Sequence, residues 1–132
     1  MRVTKQVYEQ LINYSIDAKQ NKYKNKKVIY DGIKFDSQKE RNYYIKLKLL
    51  EDKGIIKDLK LQKEYVLQES FKLNNKTYRK ISYKADFEYF STIDNKIHVV
   101  DVKSPATVKD KTYTVKKKLF MYKYGIELEE VI

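Results

Sequence analysis

A chain of 132 residues has room for one domain around a single sizeable core, and its formal charge of +11 points to a polyanionic partner, nucleic acid ahead of a membrane surface. The absence of cysteine rules out a disulfide framework, a thiolate zinc site and a cysteine nucleophile. No stretch is apolar for long enough to span a bilayer and no signal-peptide core opens the chain, so a cytoplasmic protein is expected.

The charge needs a discount. Only Arg2, Arg41 and Arg79 are arginines, and the lysine excess amid Asn, Ile and Tyr is what an AT-rich genome writes. Its distribution is more telling than its size. Residues 103–124 hold seven lysines against Asp110, whereas residues 51–102 are nearly balanced and Glu127, Glu129 and Glu130 reverse the sign.

In chain order, residues 3–18 predict an amphipathic helix with Val3, Val7, Leu11 and Tyr14 at helical spacing, followed by a basic arm through residue 27. Residues 28–132 then form the folded domain. Val28–Phe35, interrupted by Asp31-Gly32, predicts a short strand or hairpin. Ser37-Gln38-Lys39-Glu40 is a capping-box pattern that starts a helix to about Lys53, before Gly54. Residues 55–68 predict a strand and Tyr78–Ser91 another, joined through Asn74-Asn75, with Ile81, Tyr83, Ala85, Phe87 and Tyr89 alternating against polar neighbours. After a turn at Asp94-Asn95, Lys96–Lys103 predicts a strand that Ser104-Pro105 ends. A helix over Lys111–Tyr124, with Val115, Leu119 and Tyr122 inward and Gly125 as its stop, precedes a last strand at Ile126–Ile132. The order α-β-β-β-α-β makes an α/β or α+β domain with helices around a mixed central sheet.

An acid two residues before a lysine is a weak signal in this chain. It occurs at Asp17, Glu51, Asp58, Asp94 and Asp101. Asp17 and Glu51 fall on helices, where positions i and i+2 diverge, and Asp94 falls in a turn. Asp58 is strand-like but follows no strand-borne carboxylate. Only Asp101-Val102-Lys103 ends an apolar strand, follows the strand carrying Asp86, and leads into a lysine-rich helix. On a strand, Asp101 and Lys103 share a face while Val102 packs behind. Asp86 beside Asp101 would bring two like charges together, tolerable with a cation between them. Hard oxygen ligands select Mg²⁺ or Mn²⁺, which would activate water and offset charge on an attacked phosphate. Lys103 suits orienting that water as a compact ammonium.

Glu40, Asp86 and Asp101-Val102-Lys103, in that order on helix, strand and strand, resemble the PD-(D/E)XK nuclease superfamily. A closer resemblance is to small phage and prophage proteins of that superfamily. It spans about Asn21 to the C-terminus and is carried by Asn25–Lys27, Asp31–Ser37, Glu40, Leu59–Gln62, Tyr83–Phe87, Val100–Lys103 and Lys116–Phe120. The resemblance implies a restriction-endonuclease-like core, with Asp86 and Asp101 as metal ligands, Lys103 as the catalytic lysine and Glu40 completing the metal shell. Ala85 stands where the superfamily pattern has proline, and Ser104 where the closer relatives have glycine.

The implied activity is Mg²⁺- or Mn²⁺-dependent endonucleolytic hydrolysis of DNA, on branched or recombination-intermediate substrates, in the host cytoplasm of a phage. Its rivals are a non-catalytic nucleic-acid-binding module of the same fold and a metal-dependent ribonuclease. Lys109, Lys111, Lys116 and Lys117 are the candidate phosphate contacts, and a homodimer is plausible because cutting both strands takes two sites. Gln62 is placed at the site's edge or in ordinary strand hydrogen bonding. Glu88 is expected at the surface and His98 as a strand residue, and the thirteen tyrosines are read as mostly core and sheet filler, with Tyr113 and Tyr23 the candidates for a nucleic-acid contact.

Overall fold

The computed structural model describes residues 27–132. The helix expected over residues 3–18 and the basic arm short of Lys27 lie outside the described residues. The chain divides into two compact units, one holding the residues up to Leu59 with Phe90–Lys96, the other Lys60–Tyr89 with Ile97–Ile132.

In the first unit, β1 (Val28–Tyr30) and β2 (Ile33–Phe35) pair antiparallel around Asp31-Gly32. Both turn residues have positive φ, 53° and 71°, the twist that a two-residue hairpin requires and that glycine supplies without strain. Ser37 then caps α1 (Gln38–Asp52), its hydroxyl accepting the Glu40 amide at 3.1 Å. The buried stripe of α1 is Glu40, Tyr44, Leu47 and Leu50, as the helical spacing of its first three members requires. Phe35 and Tyr30 pack on Tyr44 with ring centroids 5.1 and 6.2 Å apart, and the Tyr44 hydroxyl donates to Asp31. Ile55 and Ile56 of the same unit are also buried.

A four-stranded sheet has the order β3-β6-β7-β8, formed by β3 (Ile56–Gln68), β6 (Ile81–Ser91), β7 (Lys96–Val102) and β8 (Leu128–Val131). β7 and β8 run parallel, Val99 opposite Leu128 and Asp101 opposite Glu130. The connection between them holds a short α2 (Pro105–Val108) and then α3 (Lys111–Tyr124), the helical crossover that parallel neighbours need. Asp110 caps α3, and Gly125 closes it in the left-handed region at φ 67°. The architecture is α+β around a mixed central sheet.

Within the second unit, Phe120 of α3 is fully buried against Tyr65 of β3 and Tyr83 of β6, at 4.7 and 5.6 Å between ring centroids. Tyr113, Ala85, Val99 and Leu128 join the same cluster.

Two expectations are corrected. The strand expected over Tyr78–Ser91 begins at Ile81, and Asn74-Asn75 does not link it to β3. That turn closes a separate two-stranded ribbon, β4 (Phe71–Leu73) with β5 (Lys76–Tyr78), both asparagines at positive φ. The inward face of α3 is also different. Val115, Leu119 and Tyr122 are exposed, Tyr122 at 91%, and Tyr113 and Phe120 are buried. Both sets sit at helical spacing, and the choice goes to the aromatic pair, which covers more apolar area and meets other rings on the sheet.

Candidate active site

Asp86 and Asp101 stand side by side on β6 and β7, each holding the other strand's backbone. The Asp86 amide donates to Asp101 Oδ1 at 3.0 Å, and the Val102 amide donates to Asp86 Oδ2 at 2.8 Å. The carboxylates thus take main-chain donors across the pair of strands, which locks the two side chains at one spacing. Asp86 Oδ1 also accepts from the Gln62 side-chain amide at 3.1 Å.

Gln62 lies in β3 with φ 53°, a left-handed conformation that costs a non-glycine residue roughly 1 kcal/mol or more. Such a residue inside a strand re-aims its side chain as a bulge does. Here the result is a donor pointed at Asp86, so Gln62 belongs to the site and its hydrogen bond is not ordinary strand pairing.

Asp101 is 0% exposed, and its Oδ2 has no hydrogen-bond partner. The nearest cation is Lys103 Nζ at 3.7 Å, beyond hydrogen-bond length. Burial pushes the Asp101 carboxyl up to about 6; Lys103 and the Asp86 amide pull against that, and Glu130 adds to it. Lys103 follows at i+2 on the same strand face, over the Tyr113 ring with Nζ 5.5 Å from its centroid.

Opposite Asp101 in the parallel register is Glu130, a carboxylate that the sequence did not single out. It accepts from the Tyr113 hydroxyl at 2.7 Å and from Lys117 Nζ. The Lys117 contact, helped by Tyr113, holds Glu130 below the usual carboxylate range despite partial burial. The Tyr113 phenol is pushed up, by burial first and then by Glu130. Glu130 would have been found only by knowing the β7–β8 register, because Glu129 and Glu130 alternate faces and the sequence does not say which faces Asp101.

The other expected residues fall as follows. Glu40 lies in the first unit and is buried; its Oε2 accepts the Asp36 amide at 3.3 Å, a cap one residue outside the helix start. Lys117 faces Glu130, while Lys109 and Lys111 are exposed and Lys116 is half-buried. Tyr113 is buried in the core and is no base contact. Glu88, expected at the surface, is buried; it accepts from Tyr65 at 2.7 Å and Lys63 at 2.9 Å, contacts that outweigh the upward push of burial and lower its carboxyl. His98 is a strand residue, with Nδ1 2.7 Å from Glu129 Oε2 and its ring stacked on Tyr89.

Chemically, the arrangement offers two locked carboxylates, one with an unmet buried oxygen, and an ammonium beside it. Among the described residues no group of three His, Cys, Asp or Glu is placed to hold a metal ion. Two carboxylates nonetheless suit Mg²⁺, which keeps several waters and takes one or two protein carboxylates plus substrate phosphate.

Fold and site together define an α+β protein with a paired-carboxylate, lysine-flanked centre on its central sheet. The model of a family described as "Protein of unknown function (DUF1064)" matches residues 20–131, and the chain belongs to that family. No curated protein and no solved structure matches it. No helix among the described residues is long and apolar enough to cross a membrane.

Proposed function

We propose that the chain is a divalent-cation-dependent nuclease that hydrolyses phosphodiester bonds in DNA, of the PD-(D/E)XK kind. One observation carries the proposal, the orphaned Asp101 Oδ2. A fully buried carboxylate oxygen without a hydrogen-bond donor is costly, and Lys103 meets it only as an ion pair at 3.7 Å, which leaves its lone pairs for a second positive group.

Asp101 and Asp86 would hold the cation. An ionised Asp86 carboxylate offers about four acceptor positions, of which Gln62 and the Val102 amide take two. The cation supplies Lewis acidity and positive charge beside the attacked phosphate. Lys103 holds the phosphate or orients water, its position set by its strand and by the Tyr113 ring beneath it. Gln62 fixes Asp86, and Lys117 partly offsets the charge of Glu130, which adds to the upward push on Asp101.

A second reading rests on the same hydrogen bonds. Carboxylates that staple the amides of Asp86 and Val102 have a structural role without any metal, which fits a non-catalytic nucleic-acid-binding module.

Incubation of plasmid, branched DNA and RNA with Mg²⁺, Mn²⁺ or EDTA separates the two. The nuclease reading expects metal-dependent cleavage of DNA, reduced by at least 10²-fold in Asp101→Ala and in Lys103→Ala. Salt-sensitive binding with no cleavage favours the module, and cleavage of RNA alone favours the ribonuclease. Glu40→Gln retains an oxygen to accept the Asp36 amide while removing the charge. It loses cleavage if Glu40 completes the metal shell, and is unchanged if Glu40 is only a cap.

A further inference from the structure

The β4–β5 ribbon has no structural explanation in the core. Every residue from Gln68 to Ile81 is exposed. The pairing places Phe71 opposite Tyr78 and Leu73 opposite Lys76, so these four share one face, with Lys72 and Thr77 on the other. Phe71 and Tyr78 stack with ring centroids 4.9 Å apart and planes 11° apart, and Lys76 Nζ lies 5.3 Å from the Tyr78 centroid. The face is apolar and solvent-facing, with Phe71 44%, Leu73 58% and Tyr78 39% exposed. An isolated two-stranded hairpin is marginal in water by itself, and one that leaves its aromatic face open is shaped for a partner.

The charge names the partner. From Ser70 to Lys80 the ribbon carries Lys72, Lys76, Arg79 and Lys80 and no carboxylate. Lys80 pairs with Glu64 at 2.7 Å, and the other three have no carboxylate partner among the described residues. A second copy of this ribbon would bring like charges together. The N-terminal segment, with six basic residues against Glu9 and Asp17 through residue 26, would do the same. A polyanion suits all three cations.

We infer that the β4–β5 ribbon docks in a groove of duplex DNA, its Phe71/Leu73/Tyr78 face against the groove interior, with Lys76 of that same face and Arg79 beside it on the flanking phosphates and Lys72 on the outer face adding only long-range attraction. The major groove, about 12 Å wide, admits a two-stranded ribbon. The Phe71 and Tyr78 rings stack on each other, so they are not splayed as separate platforms for the bases of a single strand. The inference deepens the nuclease reading by assigning duplex DNA as its substrate class, and takes only nucleic-acid binding from it.

The test is fluorescence anisotropy of a labelled blunt duplex with the full chain in EDTA, where no cleavage interferes. Lys72→Ala/Lys76→Ala/Arg79→Ala is expected to weaken binding at least tenfold at low salt and to flatten the slope of log K against log salt by about one to two. Phe71→Ala/Tyr78→Ala is expected to weaken binding with the slope unchanged. Both should keep the wild-type thermal midpoint, since nothing in the core rests on the ribbon. Should either fold poorly, the single charge reversal Lys76→Glu reads the same contact. Wild-type affinity and slope in the triple variant would overturn the inference. So would equal competition by the single strand, or a wild-type dimer that the aromatic variant splits while DNA affinity stays. Cleavage with Mg²⁺ is read separately. Cleavage by the wild type with unaltered binding by the triple variant sinks the ribbon alone, and binding lost with the ribbon while the wild type cuts nothing sinks the nuclease reading alone.

Discussion

Asp101 concentrates the chemistry of the site in one side chain. With a carboxyl raised from 3.8 to about 6 by burial, the metal-free folded protein holds, between about pH 4 and pH 6, a proton that the unfolded chain has released. That contribution to stability is fully present below about pH 4 and is lost as the pH rises through about 6, with a magnitude on the order of 3 kcal/mol. Asp101→Asn keeps an oxygen to accept the Asp86 amide and removes the charge. Its thermal midpoint in EDTA should exceed the wild type's above pH 6 and converge with it near pH 4. Millimolar Mg²⁺ should then raise the wild-type midpoint and leave that of Asp101→Asn where it was. A wild-type midpoint flat between pH 4 and pH 7 in EDTA would contradict the burial of this charge. The pairing of Asp101 with Lys103 was legible because strand alternation puts i and i+2 on one face. Glu130 was not, because its approach depends on the register of two strands 29 positions apart in Asp101↔Glu130.

At the level of elements, sequence pattern worked where signals were local. Ser37 and Glu40 mark the start of α1, Gly125 the end of α3, and Asp31-Gly32 a hairpin; caps and turns are decided by a few neighbouring residues. It failed where two apolar patterns competed. On α3, Val115, Leu119 and Tyr122 have the spacing of a buried stripe, but the rings of Tyr65 and Tyr83 on the sheet select Phe120 and Tyr113. Phe120→Ala should therefore cost about 3–5 kcal/mol in urea unfolding, whereas Leu119→Ala should stay within about 0.5 kcal/mol of wild type. Comparable losses from the two would mean that the helix presents another face. The ribbon escaped notice for a different reason: three-residue strands with every residue exposed leave no alternation to read, and Asn74-Asn75 looked like a link between longer strands.

Across the whole molecule, the charge of +11 overstates what is available to a polyanion. Lys117 is spent on Glu130, Lys63 on Glu88, Lys80 on Glu64 and Lys48 on Glu51. The cations left for nucleic acid are fewer than composition suggests, and they include the ribbon's Lys72, Lys76 and Arg79 and, over residues 103–124, Lys109, Lys111, Lys116 and Lys118. The mutual grip of Asp86 and Asp101 has a consequence that the intact chain can report. Amides donating to carboxylates form shorter, charge-assisted bonds, which move their protons downfield. In the nitrogen–proton correlation spectrum of the metal-free protein above pH 6, where Asp101 is ionised, the Asp86 and Val102 amides should stand apart from the other strand amides. Both should move together as Mg²⁺ is added, turning two ordinary backbone protons into gauges of cation occupancy.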